Sequence, residues 1–185
     1  MNTQMGHRNA RIIIVCEDIQ HRTFLYRLLK ELGFSTRRFR IEQAPSGKGS
    51  AEQWVRESYA DEVAVYRRKS SHMDIGLIVM MDADAYSVQE RQRELQQQLS
   101  SCDLARRKSA ELISLLIPKR NIETWIYALQ GRDVNERDAY PKLDRERDCQ
   151  PAVDALVRHI GSACAELNLP SLQQGCQELQ ERLPK

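Results

Sequence analysis

Three acids stand where chemistry is easiest to build. Glu17 directly follows the β-branched run Arg11–Cys16 (RIIIVC), and Asp82 and Asp84 directly follow Ile75–Met81 (IGLIVMM). Runs of this kind read as buried parallel strands. In an open parallel sheet, ligands bind outside the C-terminal ends of the strands. If these two strands are neighbours, the three carboxylates converge on one edge. Like charges so placed need a cation between them, and an all-oxygen donor set favours Mg²⁺ or Mn²⁺ over zinc. Taken singly, each acid reads more simply as a cap or loop residue, and Asp18 reads as the cap of the first helix. The joint pattern at two strand ends is what points to a site.

A second segment, Ile117–Trp125 (IPKRNIETW), follows another short apolar run and opens a helix. Helix N-termini bind phosphate through free N–H groups. Lys119 or Arg120 can neutralise charge that develops in phosphoryl transfer, and Glu123 can hold a second metal. The plainer alternative has Glu123 complementing the helix dipole while Trp125 and Ile126 pack the core. The loop Pro45–Ser50 (PSGKGS) sets Lys48 between two glycines, where it either meets a nucleic-acid backbone or forms a plain turn. It is not a P-loop: GxxxxGK[ST] requires Gly at 42 and Ser or Thr at 49, where the chain has Glu42 and Gly49. Asp82-Ala83-Asp84 also resembles the haloacid-dehalogenase phosphatase motif, but Tyr86 stands where those enzymes carry Thr or Val. An Asp-x-Asp sugar-nucleotide transferase would leave Glu17 without a role.

The elements that must position these residues are legible in outline. After the first strand, Phe24, Leu25, Leu28, Leu29 and Leu32 share one helical face, and Gly33 stands at the C-cap. A strand is expected over Arg38–Ala44, then a helix from Ala51 to about Arg68 capped by Ser50. A polar, Gln-rich helix is expected over Ser87–Leu99, then a basic helix before a fourth strand, Leu112–Ile117, stopped by Pro118. Asn121 is placed to cap the helix ETWIYAL, closed by Gly131. Beyond a charged loop, Asp133–Asp148, amphipathic helices are expected over Ala152–Leu167 and Leu172–Leu183. Strands alternating with helices predict an α/β fold: a central parallel sheet of about four strands, helices on both faces and a helical C-terminal extension. One domain of 185 residues is expected, its core over about 11–130 and the extension over about 131–185.

Composition narrows the function classes. Hydrophobic residues at 41% and charged residues at 29% exclude a disordered or fibrous chain. No apolar run approaches the roughly 20 residues of a membrane span. The start, MNTQMGHRNAR, has no apolar stretch of the signal-peptide kind, so a cytoplasmic location is expected. The five cysteines are odd in number and widely spaced, with no CxxC pair and no His at zinc-ligand spacing, so they read as reduced thiols filling apolar space. The net charge of +2 is too balanced to demand a polyanion, but Arg outnumbers Lys by 21 to 7, a bias toward phosphate reading. Aromatics at 6% do not suggest a base-stacking platform. The clusters Arg37-Arg38-Arg40, Arg67-Arg68-Lys69 and Arg106-Arg107-Lys108 read as solvated faces. His21, His72 and His159 show no ligand spacing, although His21 lies close to Glu17.

In the order and strand context of its motifs the sequence resembles the Toprim (topoisomerase–primase) superfamily. That family carries a Glu after its first strand and an Asp-x-Asp after a later one, matched by Glu17 in IIIVCED and by Asp82 and Asp84 in LIVMMDAD. Within it, the chain most resembles small bacterial proteins akin to the overcoming-lysogenization-defect (OLD) nucleases. There a further acid lies in a Glu-x-Trp-like segment, which Glu123-Thr124-Trp125 resembles. The likeness covers about residues 11–130. It implies a nuclease dependent on Mg²⁺ or Mn²⁺ that cuts DNA or RNA. Glu17, Asp82, Asp84 and Glu123 would be metal ligands, with Glu17 alternatively the general base. Lys119 would balance charge at the scissile phosphate, and Lys48 and Arg120 would contact the nucleic acid. It further implies a separate ABC-type ATPase partner and a role in defence against phage or foreign nucleic acid. A homo-oligomer is also compatible; a membrane partner is not expected. Asp18 stands where the family usually has Gly, which admits a second reading: an inactive module that docks nucleic acid or regulates its ATPase.

Overall fold

The computed structural model describes residues 8–185. Segment 1–7, part of the stretch read above as no signal peptide, lies outside the described residues. Four strands, β1 (Arg11–Cys16), β2 (Phe39–Gln43), β3 (Ile75–Met80) and β4 (Ile113–Leu116), form one sheet in the order β2-β1-β3-β4. All three pairings are parallel. β1 and β3 are therefore neighbours, and their register sets Cys16 opposite Met80. Glu17 and Asp82 leave the sheet on the same edge.

Side chains alternate across each strand, so the sheet has two cores. Ile12, Ile14, Cys16, Ile78, Met80 and Leu116 pack into one of them. Its helices are α1 (Ile19–Glu31), α4 (Ile122–Leu129), α5 (Gln150–Gly161) and α6 (Pro170–Arg182). Ile13, Val15, Leu77, Val79, Met81 and Leu115 pack into the other, under α2 (Ala51–Lys69) and α3 (Val88–Ser101). Burial on both faces explains the β-branched runs of the central strands. Local signals start and stop the helices. Asp18 caps α1 by accepting from the His21 N–H, and Ser50 caps α2. Ser87 and Glu90 form a capping box on α3. Gly33 and Gly131 take φ of 87° and 80° just after α1 and α4.

Four local expectations are corrected. No basic helix precedes β4: residues 102–112 run as turns and coil. Arg107 instead reaches out of that segment to the Glu178 carboxylate and the Ile113 carbonyl. Helix α5 stops at Gly161 rather than running to Leu167, giving way to a short 3₁₀ turn, Cys164–Glu166. That turn lays Cys164 against α6, and Cys164 and Cys176 form a disulfide with Cα atoms 5.6 Å apart. A pairing made by tertiary folding leaves no mark in sequence spacing, so the expectation of reduced thiols filling apolar space holds only for Cys16 and Cys149, while Cys102 is free but exposed. Finally, Asn121 heads α4 without capping it. Its Oδ1 accepts from the Thr124 hydroxyl and its Nδ2 donates to the Tyr140 carbonyl.

The C-terminal helices are built into the cover of the sheet. Trp125 is fully buried, and its indole N–H donates to Ser171 Oγ at 2.8 Å. A Cβ on Gly175 would overlap the Trp125 ring, so α6 can lie this close only with Gly there. Among the described residues no helix is long and apolar enough to cross a membrane.

Candidate functional site

The site is built on the two loops that leave β1 and β3. Glu17 begins the first, and its Oε1 is buried with no hydrogen-bond partner. Burial, then the negative fields of Asp82, Asp84 and Asp18, push its carboxyl up to about 8, against the opposing field of His21. Asp82, with 13% of its side chain exposed, accepts at Oδ1 from His21 Nε2 at 3.0 Å. His21 is itself fully buried in the first turn of α1, and its backbone N–H donates to Asp18 Oδ1 at 2.9 Å. Burial opposes charge on this imidazole. The Asp82 charge and hydrogen bond, with Asp18 and Glu17 behind them, override it and raise the pKa to about 9. The carboxylates around His21 thus favour its protonated form.

The second loop is strained at its tip. Asp84 and Arg120 hold φ of 53° and 70°, in the left-handed region disfavoured for residues other than glycine. They face each other in an antiparallel bridge, Asp84 N–H donating to the Arg120 carbonyl at 3.0 Å. Ala83 N–H donates to the Pro118 carbonyl at 2.8 Å, so the β3 and β4 loops are sewn together. Small, buried Ala83 permits that approach. Arg91 on α3, only 1% exposed, reaches Asp84 Oδ2 at 3.5 Å and Glu94 at 2.8 Å, and also pairs with Glu52. Its guanidinium lies 4.5 Å from the centroid of the Tyr86 ring. Burial and Asp82 raise the Asp84 pKa, while Arg91 pulls it back.

The β4–α4 connection supplies the remaining groups. Glu123 is buried in the first turn of α4. Burial, reinforced by the charges of Asp82 and Asp18, raises its pKa. Lys119 Nζ donates to the Tyr86 carbonyl, and its backbone N–H donates to Ser171 Oγ at 3.1 Å. Arg120 extends Nη1 toward the Asp84 carbonyl at 3.4 Å. Lys48 stands exposed in the loop after β2. That loop leaves the same edge of the sheet, anchored by Ala44 N–H to the Cys16 carbonyl at 3.0 Å.

Of the four acids singled out in the sequence, Asp82 is the shared neighbour: its charge acts on Glu17, Asp84 and Glu123. Lys119 and Arg120 flank them, and Lys48 stays on a neighbouring loop without touching them. Arg91 escaped the sequence reading, and His21 was noted only for its nearness to Glu17, not as the partner of Asp82. His21 carried a faint signal, three residues beyond a capping Asp. Arg91 carried another, a cation near the start of a helix whose dipole does not favour it.

Among the described residues no group of three or more His, Cys, Asp or Glu side chains stands arranged to hold a metal ion. The donor chemistry nevertheless fits a hard divalent cation. Glu17 Oε1 is a buried oxygen without a donor, its neighbours are carboxylates, and His21 orients Asp82 as ligand-supporting groups do. Five buried side-chain atoms lack a hydrogen-bond partner among the described residues, and those of Glu17, His21, Arg91 and Arg120 all belong to this edge. Buried polar atoms are ordinarily satisfied, so the clustering is informative. No family model, curated protein or solved structure matches this chain.

Proposed function

We propose that the protein is a cytoplasmic Toprim-like nuclease that hydrolyses phosphodiester bonds of DNA or RNA with Mg²⁺ or Mn²⁺. The observation that carries this reading is the buried, donorless Oε1 of Glu17 beside Asp82 at the C-terminal edge of two adjacent parallel strands. Glu17, Asp82 and Asp84 would hold the ion, and Glu123 would serve a second one. Bound there, the cation would supply Lewis-acid stabilisation of the phosphoryl oxygens. The chain's own groups do the rest. His21 holds Asp82 in place. Lys119 and Arg120 offset charge on the phosphate as water adds to phosphorus and the P–O bond to the leaving oxygen breaks. Alternatively to ligating the ion, Glu17 would accept the proton of that water as general base.

An ABC-type ATPase acting with this chain would come from outside these 185 residues, since the 45–50 loop lacks the P-loop pattern. Such a pair fits defence against phage or foreign nucleic acid. A second reading, a docking or regulatory module that no longer cuts, is favoured by one arrangement. Arg91 already pairs with Asp84, His21 with Asp82, and Asp18 serves as a helix cap.

The deciding experiment incubates the purified chain with Mg²⁺ or Mn²⁺ and plasmid, single-stranded DNA or tRNA, beside Asp82→Ala and Glu17→Ala proteins. Metal-dependent cleavage lost in both variants supports the nuclease. A wild-type chain that stays silent both alone and with a co-expressed ATPase overturns it in favour of the module.

A further inference from the structure

The outer face of α1 carries a feature that the carboxylates do not use. Ile19, Arg22, Tyr26 and Lys30 recur at three- and four-residue spacing, so they form one stripe along the helix. All four are exposed, Ile19 by 46% and Tyr26 by 39%, whereas the opposite face buries Phe24, Leu25, Leu28 and Leu29. The stripe lines an open cleft of about 480 Å³ whose walls add Thr23, Arg27, Glu31 and Gln150. Arg27 is steadied there by a 2.6 Å hydrogen bond to Gln150 Oε1. Three cations against one carboxylate leave the cleft positive. Tyr26 sits edge-on to Phe39 of β2, with ring centroids 5.8 Å apart, which fixes its ring beside those cations.

Placement gives the cleft its meaning. Ile19 is the first residue of α1, two positions beyond Glu17, so the stripe begins at the end of α1 that follows the acid-bearing loop. From there to Lys30 the helix advances about 16 Å at 1.5 Å per residue, several times the 3.4 Å rise of a nucleic-acid strand. A positive groove with an aromatic side chain is the usual arrangement for holding one strand by its phosphates and a base face.

We propose that this cleft is the track along which one strand of a nucleic acid reaches the carboxylates. Arg22, Arg27 and Lys30 hold backbone phosphates, and Tyr26 meets a base. The inference rests on the nuclease reading, because it is the acids at the Ile19 end that give the track a destination.

The test is fluorescence anisotropy of a labelled single-stranded oligonucleotide titrated with the full chain, Ca²⁺ replacing Mg²⁺ to keep the strand uncut. Wild type is compared with Arg22→Ala/Lys30→Ala. An equally charged control, Arg68→Ala/Lys69→Ala, lies at the end of α2 on the other face of the sheet. The track predicts roughly tenfold weaker binding for the first double variant and a salt slope shallower by about 2. The control should bind within about twofold of wild type. Wild-type binding and cleavage with both double variants equally affected, or neither, overturns the track and leaves the nuclease standing. A wild-type chain that neither binds nor cuts overturns both.

Discussion

Partly buried glutamates occur at both ends of the sheet, and the two ends treat them in opposite ways. Glu111 lies just before β4, at the N-terminal edge. It accepts from Arg67 Nε at 2.6 Å, Arg67 Nη2 at 3.1 Å and the Lys108 N–H at 2.7 Å. Burial pushes its pKa up, but these donors outweigh burial and leave it below the ordinary value. Glu178, packed along β4, is held likewise by Arg107 and the Leu115 N–H. Glu17, at the C-terminal edge, has a buried oxygen with no donor and three acids for company. One edge is arranged for stability. The other leaves one buried Glu17 oxygen without a donor, the pattern expected of a group kept available for chemistry.

Replacing Glu17 by Gln gives the largest contrast. It should reduce metal-dependent cleavage about 10³-fold or more, while the metal-free protein melts at the same temperature or higher. Retained cleavage with a fall of several degrees would place Glu17 with the structural acids.

The same pair of proteins reads the contrast through pH. The folded pKa of Glu17 lies near 8, above its ordinary 4.5. Its contribution to stability is therefore complete below about 4.5 and is lost as pH rises through 8. In EDTA, wild type should lose melting temperature relative to Glu17→Gln between pH 5 and 8, by calorimetry. His21, raised to about 9, contributes with the same sign, but it is common to both proteins and largely drops out of the difference. Glu111, with its lowered pKa, acts oppositely: its contribution is present at neutral pH and fades on acidification.

Arg67→Ala tests the other edge. It strips Glu111 of its side-chain donor and should cost about 1–2 kcal/mol, some 3–6 °C in melting temperature for a chain of this size. Cleavage should not change. A large loss of activity would mean that the two edges are coupled through the sheet.

What the sequence revealed and concealed follows the same division. The four strands, their parallel arrangement and the acids behind β1 and β3 were legible because continuous apolar runs, their alternation with helices and strand-end placement are all written along the chain. The Asp18, Ser50 and Ser87 caps are equally local. His21 was not legible as a partner of Asp82, 61 residues away, nor was the 12-residue Cys164–Cys176 closure. Both are made by helices settling onto the sheet. The missing basic helix has the same origin: Arg107 is drawn to Glu178, 71 residues on, and local helix propensity loses. Whether the acids bind metal was not decided by pattern either, because that depends on side-chain approach.

The smallest expected effect bears on that last point. A cation bound at Glu17 and Asp82 must displace the proton that burial keeps on Glu17 near neutral pH, so binding and proton release are linked. With Mg²⁺ at ten times its Kd, the folded state should gain about 1.4 kcal/mol, or roughly 3–5 °C in melting temperature. Calorimetric titration at pH 7 in buffers of different ionisation enthalpy should show proton release on binding. Glu17→Gln should bind with little or no release, since it has no proton to give up. Asp82→Asn should weaken binding, and Arg67→Ala should leave both quantities unchanged. Proton release that persists in Glu17→Gln would shift the displaced proton to Glu123 or Asp84, whose pKa values are also raised. The unsatisfied edge would then act as a set of acids rather than through one poised glutamate.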